Sequence, residues 1–464
     1  MELFNTILQN TNEFFYSKIL IILLIFTGIY FTIRTKFVQF RMLPEAIKLV
    51  NEKSKGKHSV SSFQALMIST ASRVGTGNIA GVAAAISAGG PGAVVWMWIS
   101  ALVGSASSFI ESTLAQIYKT KDGATYRGGP AYYIEKALGM RWLGCVFSVL
   151  LIACFVLGFN ALQAYNVSSA FHMYASTNNQ KFVISILVGS VLALATAFTI
   201  FGGMHRIGKL SSIIVPIMAI LYILLGLYIT LSNVTLLPGI FRKIFEEAFQ
   251  LKSFAGGIAG TCVSYGIKRG LFSNEAGMGS APNASAAAEV SHPAKQGLVQ
   301  MLSVYIDTIL ICTTTAMMLL VYGVDDELTG MAYVQTAIRS QVGDLGVHFI
   351  TLAILLFAFS SLVGNYSYAE ANLKFIKDNR IVLILFRIAC LFPIFFGALA
   401  SFSTVWDLAD VLMGFMAIVN ILAILLLGNI AIKALKDFQK QKKDGKDPTF
   451  VAKDLGIKNT NCWE

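Results

Sequence analysis

The segment SRVGTGN at 72–78 places an arginine and two glycines inside an apolar stretch, STASRVGTGNIAGVAAAISAGGPG at 69–92. Each glycine weakens a helix by about 1 kcal/mol relative to alanine, so Gly75 and Gly77 predict an interruption. Backbone groups freed in lipid need new partners. Amides of the following half-helix, near Asn78, suit a carboxylate, whereas carbonyls of the preceding one, near Val74, suit a sodium ion or an ammonium group. One interruption can therefore hold both ends of a zwitterion.

A second interruption is predicted in KRGLFSNEAGMGSAPN at 268–283. It lies about fifteen residues into its apolar segment, and the first lies about ten residues into its own. Glycine-interrupted segments at corresponding places in two halves of a chain point to a transport site. The alternative is that the glycines only allow helices to pack closely.

Several ionisable residues fall at membrane depth. An unpaired Arg or Asp at the bilayer centre costs about 2.5–3.5 kcal/mol, so these side chains are expected to face the protein interior and to pair. We take Glu111, Glu275 and Asp307 as candidate charge partners, and a pair between Arg73 and Glu275 across the two breaks is one hypothesis. The alternative is a set of structural ion pairs. The full set is Arg73, Glu111, Lys268, Arg269, Glu275, Asp307 and Glu370.

Adjacent hydroxyls at Ser360 and Ser361, in LLFAFSSLVGNYSY, can complete an oxygen shell for sodium, a hard cation. The alternative is a hydroxyl bonded to a carbonyl of its own helix. Gln163 and Asn166 share one helix face and either line a cavity or hold helices together. Neither the five histidines nor the six scattered cysteines have catalytic or metal-ligand spacing, and no phosphate-binding loop occurs. No enzyme activity and no organic cofactor are therefore expected.

The composition predicts a polytopic membrane protein that positions these residues on helices. The 464 residues are 55% hydrophobic and 13% charged, against about 25% charged in a soluble domain. About eleven apolar segments are each long enough to cross a core of about 30 Å. They lie at roughly 17–35, 63–87, 92–118, 142–171, 182–202, 208–232, 254–288, 296–322, 347–376, 381–401 and 408–432.

The positive charge indicates orientation. The net charge is +11, and most lysines and arginines fall in alternate loops and in the C-terminal tail. The positive-inside rule then places the N-terminus outside the cell and the C-terminus in the cytoplasm. No basic face with base-stacking aromatics is present, so the expected partners include the lipid bilayer but no nucleic acid. The first residues lack a basic region and a cleavage site, so we expect no signal peptide.

The segments divide into an all-α arrangement with two sets of five helices. Each set has an odd number of crossings, so the sets enter the membrane from opposite sides, as in an inverted repeat. We expect an extra, peripheral N-terminal helix and a basic loop at 1–62, a first repeat at 63–232, an extracellular connection at 233–253, a second repeat at 254–432 and a basic tail at 433–464. Both repeats begin with a discontinuous helix.

Four long motifs resemble the alanine or glycine:cation symporter family. They are ASRVGTGNIAGVA, GGPGAVVWMWISALVGSASSFIESTLAQIYK, YRGGPAYYIEKALG and GIKRGLFSNEAGMGSAPNASAAAEVSHPAKQGLVQMLSVYIDT. The resemblance covers nearly the whole chain. It implies an inner- or plasma-membrane carrier with the leucine-transporter fold and eleven helices, which takes up a small amino acid together with sodium by alternating access.

The resemblance also implies residue roles, because VGTGN matches the VGLGN of the leucine transporter. The amides of Thr76 and Gly77 would receive the substrate carboxylate, and the carbonyl of Arg73 would lie near its ammonium. The predicted substrate-binding set is Arg73, Thr76, Gly77, Asn78, Gln163, Phe272, Ser273, Asn274 and Asn365. The predicted sodium set comprises the carbonyls of Ala71, Val74 and Phe357 and the hydroxyls of Ser360 and Ser361.

Two positions depart from the family pattern. Asn365 stands where tryptophan often closes a tight pocket, and Arg73 stands where many members carry a small residue. Both imply a roomier, more polar compartment, so alanine, glycine, glutamine and serine are all candidate substrates. A proton-coupled carrier in which Glu111, Asp307 or Glu275 titrates remains an alternative, as does an ion channel. A membrane-embedded enzyme is disfavoured because the sequence has no nucleophile–base or metal-ligand set.

Overall fold

The structure, a computed structural model, describes residues 2–52, 60–123, 125–249, 258–325 and 327–463. Residues 53–59, in the predicted basic loop, lie outside these ranges. Residues 250–257, at the junction of the predicted extracellular connection and the second repeat, also lie outside them. The first half of the chain forms α1 (Glu2–Phe14), α2 (Leu20–Arg34), α3 (Val38–Arg41), α4 (Leu43–Val50), α5 (Ser62–Arg73), α6 (Ala80–Gly89), α7 (Ala93–Ile117), α8 (Pro130–Leu138), α9 (Arg141–Ile152), α10 (Asn160–Phe171), α11 (Asn178–Ile200) and α12 (Gly203–Ser232).

The second half of the chain is also built of helices. Its helices are α13 (Leu237–Ala248), α14 (Ile258–Asn274), α15 (Ala281–Ala287), α16 (Pro293–Val304), α17 (Thr313–Tyr322), α18 (Gly330–Val342), α19 (Asp344–Ile376), α20 (Arg380–Ala389), α21 (Leu391–Gly397) and α22 (Phe402–Lys443). Three π-helical turns join neighbouring helices, at Phe15–Ile19, Ala153–Phe159 and Tyr305–Cys312. Short 3₁₀ turns occupy Thr76–Asn78, His172–Tyr174, Val234–Leu236 and Lys453–Leu455.

Local sequence explains where key helices begin. Ser61 and Gln64 form a reciprocal capping box at the start of α5, with the Gln64 amide 3.2 Å from Ser61 Oγ and the Ser61 amide 3.0 Å from Gln64 Oε1. Thr177 and Gln180 begin α11 in the same way. These caps satisfy amides that the first helical turn leaves unpaired.

Within the described residues, eight helical stretches are long and apolar enough to cross a membrane. They are Ala93–Ile117, Arg141–Tyr174, Asn178–Ile200, Leu210–Ser232, Pro293–Tyr322, Asp344–Ile376, Arg380–Gly397 and Phe402–Lys443. The helix α2 is a shorter apolar helix, and two further apolar segments are interrupted. The multi-pass helical architecture is therefore confirmed, whereas the number of crossings remains a prediction.

A further helix precedes the expected N-terminal one. The helix expected at about 17–35 corresponds to α2, whereas α1 begins at Glu2, and Asn12 on α1 is buried against α22. Its amide nitrogen lies 2.7 Å from Asp407 Oδ1. Continuous apolar runs do not predict α1, because its residues mix polar and apolar types.

Two smaller features complete the fold. The antiparallel strands β1 (Thr120–Asp122) and β2 (Thr125–Arg127) pair in a hairpin after α7, which the all-α expectation did not include. The tail after α22 folds back onto the body, with Trp463 Nε1 donating to the Gln116 carbonyl at 2.7 Å. The Phe450 amide likewise donates to the Ser291 carbonyl at 3.0 Å.

Candidate functional site

The first predicted break is present between α5 and α6. The ladder of α5 ends where the Val74 amide donates to Thr70, and the Gly75 amide then turns back to the Arg73 carbonyl at 2.8 Å. A single 3₁₀ turn at Thr76–Asn78 precedes α6. The Gly75 amide also lies 3.1 Å from Asn78 Oδ1. The predicted interruption by Gly75 and Gly77 is confirmed.

Three of the predicted sodium ligands converge beside this break. Ser361 on α19 places its hydroxyl oxygen 2.9 Å from the carbonyl oxygen of Ala71 and 3.0 Å from that of Phe357. A Cβ on Gly75 would lie only 2.5 Å from the same hydroxyl, so glycine allows this approach. Because hydroxyl and carbonyl oxygens from two helices meet within hydrogen-bond distance, their chemistry fits a hard monovalent cation.

The other two predicted sodium ligands are Ser360 and Val74. Ser360 donates to the Phe357 carbonyl at 2.9 Å, which lies within its own helix. Val74 is buried at the C-terminal end of α5. The hydroxyl that links the two helices is therefore that of Ser361.

Gln163 on α10 occupies one of the amides predicted to receive a carboxylate. Its Oε1 accepts from the Thr76 amide at 3.0 Å. Asn166, one helical turn later, donates to Thr76 Oγ1 at 2.8 Å. The two side chains hold the unwound turn in place, and a substrate carboxylate at the Thr76 amide would displace Gln163 Oε1.

The second predicted break is present between α14 and α15. Glu275, Gly277 and Gly279 all have positive φ values, of 53°, 80° and 88°. Glycine adopts this left-handed region freely, whereas Glu275 does so at a cost of about 1 kcal/mol or more. Asn274 Oδ1 accepts from the Ala276 amide at 3.0 Å, so its side chain caps the turn.

Glu111 satisfies the backbone of this second break. Its two carboxylate oxygens each lie 3.1 Å from a backbone nitrogen, that of Gly277 or that of Gly279. Asn420 on α22 donates to the same carboxylate at 2.7 Å and to the Gly277 carbonyl at 2.9 Å. Three donors on one buried carboxylate make Glu111 a clamp on the unwound segment.

Asp307 joins the two breaks. Its Oδ1 accepts from Asn78 Nδ2 at 2.6 Å, and its Oδ2 accepts from Thr308 Oγ1 at 3.0 Å and from the hydroxyl of Ser273. Asn78 belongs to the first break and Ser273 to the helix before the second. Asp307 lies in the π-helical turn after α16. The structure therefore brings together one residue from each interrupted helix on a single carboxylate.

Arg73 does not form the hypothesised pair with Glu275. Its Nη1 donates instead to the hydroxyl of Ser303 on α16, and no ion pair of Arg73 occurs in the described parts of the chain. Glu275 accepts from Ser72 at 3.3 Å and from Ser280 at 2.5 Å. The expectation failed because adjacent residues on a helix point in different directions, so Ser72 faces Glu275 while Arg73 faces α16.

Phe272 covers the first break. A methyl group on Gly77 would overlap the Phe272 ring, so the ring lies directly against this glycine. The ring centroid of Phe272 is 4.6 Å from that of Phe159 and 5.2 Å from that of Trp406. Aromatic rings therefore form an apolar wall on one side of the unwound turn.

Asn365 is fully buried and bridges three helices. Its Oδ1 accepts from Ser72 Oγ at 2.8 Å, and its Nδ2 donates to Asn160 Oδ1 at 3.0 Å. Ser72, Asn160 and Asn420 are functional-site neighbours that the sequence analysis did not single out. Their signal in the sequence is a polar side chain within an apolar segment.

The comparisons with known proteins agree with this geometry. Residues 1–452 match the sequence profile described as the sodium:alanine symporter family. The chain belongs to the sodium:alanine symporter family. The predicted resemblance is confirmed, and the family consists of membrane transporters, not enzymes.

Relatives of this symporter chain align over nearly its full length. It is 49% identical to the amino-acid carrier protein AlsT of Bacillus subtilis, over 99% of this chain and 98% of the relative. It is 48% identical to the probable sodium/glutamine symporter GlnT of the same organism, over 97% and 94%. The sodium/alanine symporter AgcS of Methanococcus maripaludis is 39% identical, over 95% and 98%.

A solved structure supports the fold of the symporter. The crystal structure of MhsT in complex with L-phenylalanine aligns with a TM-score of 0.59 and 14% sequence identity. The alignment covers 82% of this chain and 99% of the MhsT chain. The leucine-transporter-type fold predicted from the sequence is confirmed.

Proposed function

We propose that this protein is a secondary active transporter that carries a small neutral amino acid into the cell together with sodium. The observation that carries the proposal is the convergence of Ala71, Phe357 and Ser361 oxygens beside the unwound turn at the first break. The sodium in this scheme is a co-transported substrate.

The amino acid would bind on the other side of the same turn. Its carboxylate would take the amides of Thr76 and Gly77, and its ammonium would approach the carbonyl of Arg73. Gln163, Phe272, Ser273 and Asn365 would surround its side chain. Sodium and amino acid would then order one segment, Ala71 to Gly77, so each should raise the affinity of the other by the same factor.

The cavities support alternating access. A cavity of about 340 Å³ extends from Ile68 and Tyr368 to the charged residues Asp122, Lys374 and Arg387. On the opposite side of the break, the rings of Phe272 and Trp406 are buried. Under the orientation we propose, with the C-terminus in the cytoplasm, this state is more accessible from the cytoplasm. Rocking of one helical bundle would open the other side.

The substrate belongs to a short set of neutral amino acids. The names of two relatives contain glutamine and alanine. Glycine and serine are close to alanine in size, so we include them as candidate substrates. The buried amide of Asn365 and the guanidinium of Arg73 add polarity, which favours testing glutamine beside alanine.

A proton-coupled carrier is the second candidate. Asp307 is a buried carboxylate that touches Asn78 and Ser273, so its protonation would alter both interrupted helices together. One relative, from Bacillus sp. strain PS3, is named a sodium/proton-dependent alanine carrier protein and is 37% identical.

The proposal is tested by uptake into proteoliposomes. Purified protein is reconstituted, and uptake of alanine, glycine, serine and glutamine is measured under an inward sodium gradient, with choline replacing sodium in one arm and a pH step without sodium in another. We expect accumulation of at least one amino acid in the sodium arm alone. Accumulation driven by the pH step alone would favour the proton-coupled alternative, and no accumulation in either arm would reject symport.

A further inference from the structure

The helices α2 and α22 pack side by side and run in the same direction. Leu20, at the start of α2, lies against Gly414, where an added Cβ would come 3.0 Å from the leucine side chain. Near the other end of α2, the ring of Phe31 lies directly against Gly428. Because glycine allows this close approach, the outward-facing side chains of the two helices are neighbours on the protein surface.

The outward faces of both helices are apolar over most of their length. Ile33 on α2 is 62% exposed, and Leu426 on α22 is 69% exposed. In a bilayer, such side chains contact the acyl chains of lipids. The exposed apolar residues at helical spacing are Ile22, Phe26, Ile29 and Ile33 on α2, and Leu422 and Leu426 on α22.

Both faces change from apolar to basic at the same level. Arg34 follows Ile33 and donates from Nη2 to Asn429 Oδ1 on α22 at 2.6 Å, so this arginine bridges the two helices. Asn429 in turn lies about one helical turn after Leu426. Lysines continue at helical spacing on that face of α22, and a further lysine follows Arg34. The exposed cations of this basic cluster are Arg34, Lys36, Lys433, Lys436 and Lys440.

The basic cluster has no anionic partner in the parts of the chain that the structure describes. Two carboxylates on α4 and α22 pair with other residues instead. Glu45 lies 2.8 Å from Lys442 Nζ, and Asp437 lies 3.3 Å from the ring nitrogen of His292. The positive charge of the cluster is therefore available to a ligand.

Arg34 retains hydrogen-bonding capacity where the apolar faces end. A guanidinium carries five N–H donors, and that of Arg34 makes side-chain hydrogen bonds to Asn429 and, at 3.4 Å, to the Tyr30 hydroxyl. Because Arg34 is exposed, its other donors are accessible. Its planar guanidinium matches the oxygens of a phosphate group. A ligand with matching chemistry combines acyl chains with a phosphate.

We propose that α2 and α22 form a binding site for one anionic phospholipid. Its acyl chains lie on the apolar faces, and its phosphate binds Arg34 and Lys433. The lysines repel the quaternary ammonium of phosphatidylcholine, so the site prefers a lipid with net negative charge. Under the orientation proposed above, the site lies in the cytoplasmic leaflet, where anionic lipids attract basic segments next to membrane helices. The inference does not depend on the identity of the transported solute.

The bound lipid holds together two helices that flank the second break. A Cβ on Gly277 would lie 3.9 Å from the side chain of Leu24 on α2 and 3.8 Å from that of Ile421 on α22. A lipid that bridges these helices stabilises the packing around Gly277. Since a ligand that binds only the folded state raises the unfolding temperature, this temperature is a second readout of the site.

The test is native mass spectrometry of the purified full chain in detergent, titrated with phosphatidylglycerol or with phosphatidylcholine of the same acyl chains. The wild type binds the first phosphatidylglycerol at least about tenfold more tightly than phosphatidylcholine, and only phosphatidylglycerol raises its unfolding temperature. Lys433→Gln weakens phosphatidylglycerol binding by about fivefold, and the double variant Arg34→Gln/Lys433→Gln weakens it by at least about tenfold.

A double variant on α13 is the matched control. Arg242→Gln/Lys243→Gln also removes one arginine and one lysine, whose partners are Glu246 and Glu247, and it retains the wild-type affinity. The Lys433 side chain is exposed, so Lys433→Gln keeps the fold and carries the test alone if the other double variant unfolds. Equal wild-type affinity for the two lipids, unchanged affinity in Lys433→Gln, or an equal loss in the control overturns the lipid site.

Discussion

The hydroxyl of Ser361 lies 2.9 Å from the carbonyl oxygen of Ala71, although 290 residues separate the two. Ala71 belongs to the last turn of a helix that ends two residues later, at Arg73, and Ser361 belongs to the uninterrupted helix α19. This contact ties the continuous helix α19 to the end of α5, directly before the unwound turn. Any cation that takes both oxygens therefore affects the shape of that turn.

Replacing Ser361 with alanine should separate ion binding from folding. The substitution removes the oxygen that links α5 and α19, so the sodium concentration for half-maximal uptake should rise by at least about tenfold. Ser360→Ala is the matched control, because that hydroxyl bonds only within its own helix, and its effect should be severalfold smaller. Sodium titrations of uptake measure both. Equal losses would show that Ser360 binds the cation as strongly as Ser361, and an unchanged sodium requirement in Ser361→Ala would place the cation elsewhere.

A methyl group at position 75 should block transport without unfolding the protein. In Gly75→Ala, the new Cβ would lie 2.5 Å from Ser361 Oγ and 2.7 Å from Gln163 Nε2, so both side chains must shift away from the break. We expect uptake to fall at least about tenfold, since two groups of the site are displaced. In the control Gly239→Ala, the added methyl group meets no atom within 4 Å. Normal uptake by Gly75→Ala would show that the turn has no such role.

Glu111→Gln should destabilise the second break. The carboxylate accepts from two glycine amides and from Asn420, and a glutamine side chain replaces one accepting oxygen with a donor. The free energy of unfolding should fall by about 2 kcal/mol, the cost of leaving a buried donor unpaired. Thermal unfolding in detergent measures the loss. Glu246→Gln, at an exposed glutamate, serves as control, and identical melting of Glu111→Gln and wild type would remove Glu111 from this role.

Docking of the C-terminal tail should strengthen as pH rises. Burial lowers the pKa of Lys119, next to Trp463, to about 7, and burial lowers that of Lys136 to about 8. A lysine in an unfolded chain has a pKa of about 10.4, so between these values the undocked state binds more protons. Stability of the docked form therefore increases from about pH 7 towards pH 10.

Hydrogen exchange of the tail amides at 450–463 measures this dependence, with faster exchange expected at pH 6 than at pH 9 after correction for the intrinsic rate. Lys119→Met should reduce the difference, because the uncharged side chain needs no deprotonation. Equal corrected protection at both pH values would contradict it.

The sequence located both interruptions because glycine acts through the backbone, and the cost of glycine in a helix depends little on distant residues. The same holds for the apolar helices, whose composition alone predicts burial in lipid. Ser361 was a candidate from its residue type and its place in an apolar segment, and the family resemblance supplied its partners Ala71 and Phe357, since the sequence context equally allowed a bond within its own helix. In the structure, the Ser361 hydroxyl lies within hydrogen-bond distance of the Phe357 carbonyl in its own helix and of the Ala71 carbonyl on α5.

Contacts between distant elements were not predictable in this way. The direction of Arg73 towards Ser303, and the reach of Glu111 to Gly277, depend on helix rotation and packing that periodicity does not define. The packing of α1 was not predictable either, because Asn12 acquires its partners only when α1 packs against α22.

In the proposed mechanism sodium and the amino acid share the first break, and binding of radioactive sodium to the purified protein tests this most directly. We predict that saturating amino acid raises sodium affinity in the wild type, and that Ser361→Ala weakens sodium binding by at least about tenfold. Sodium affinity that is identical with and without amino acid, or unchanged in Ser361→Ala, would contradict the account.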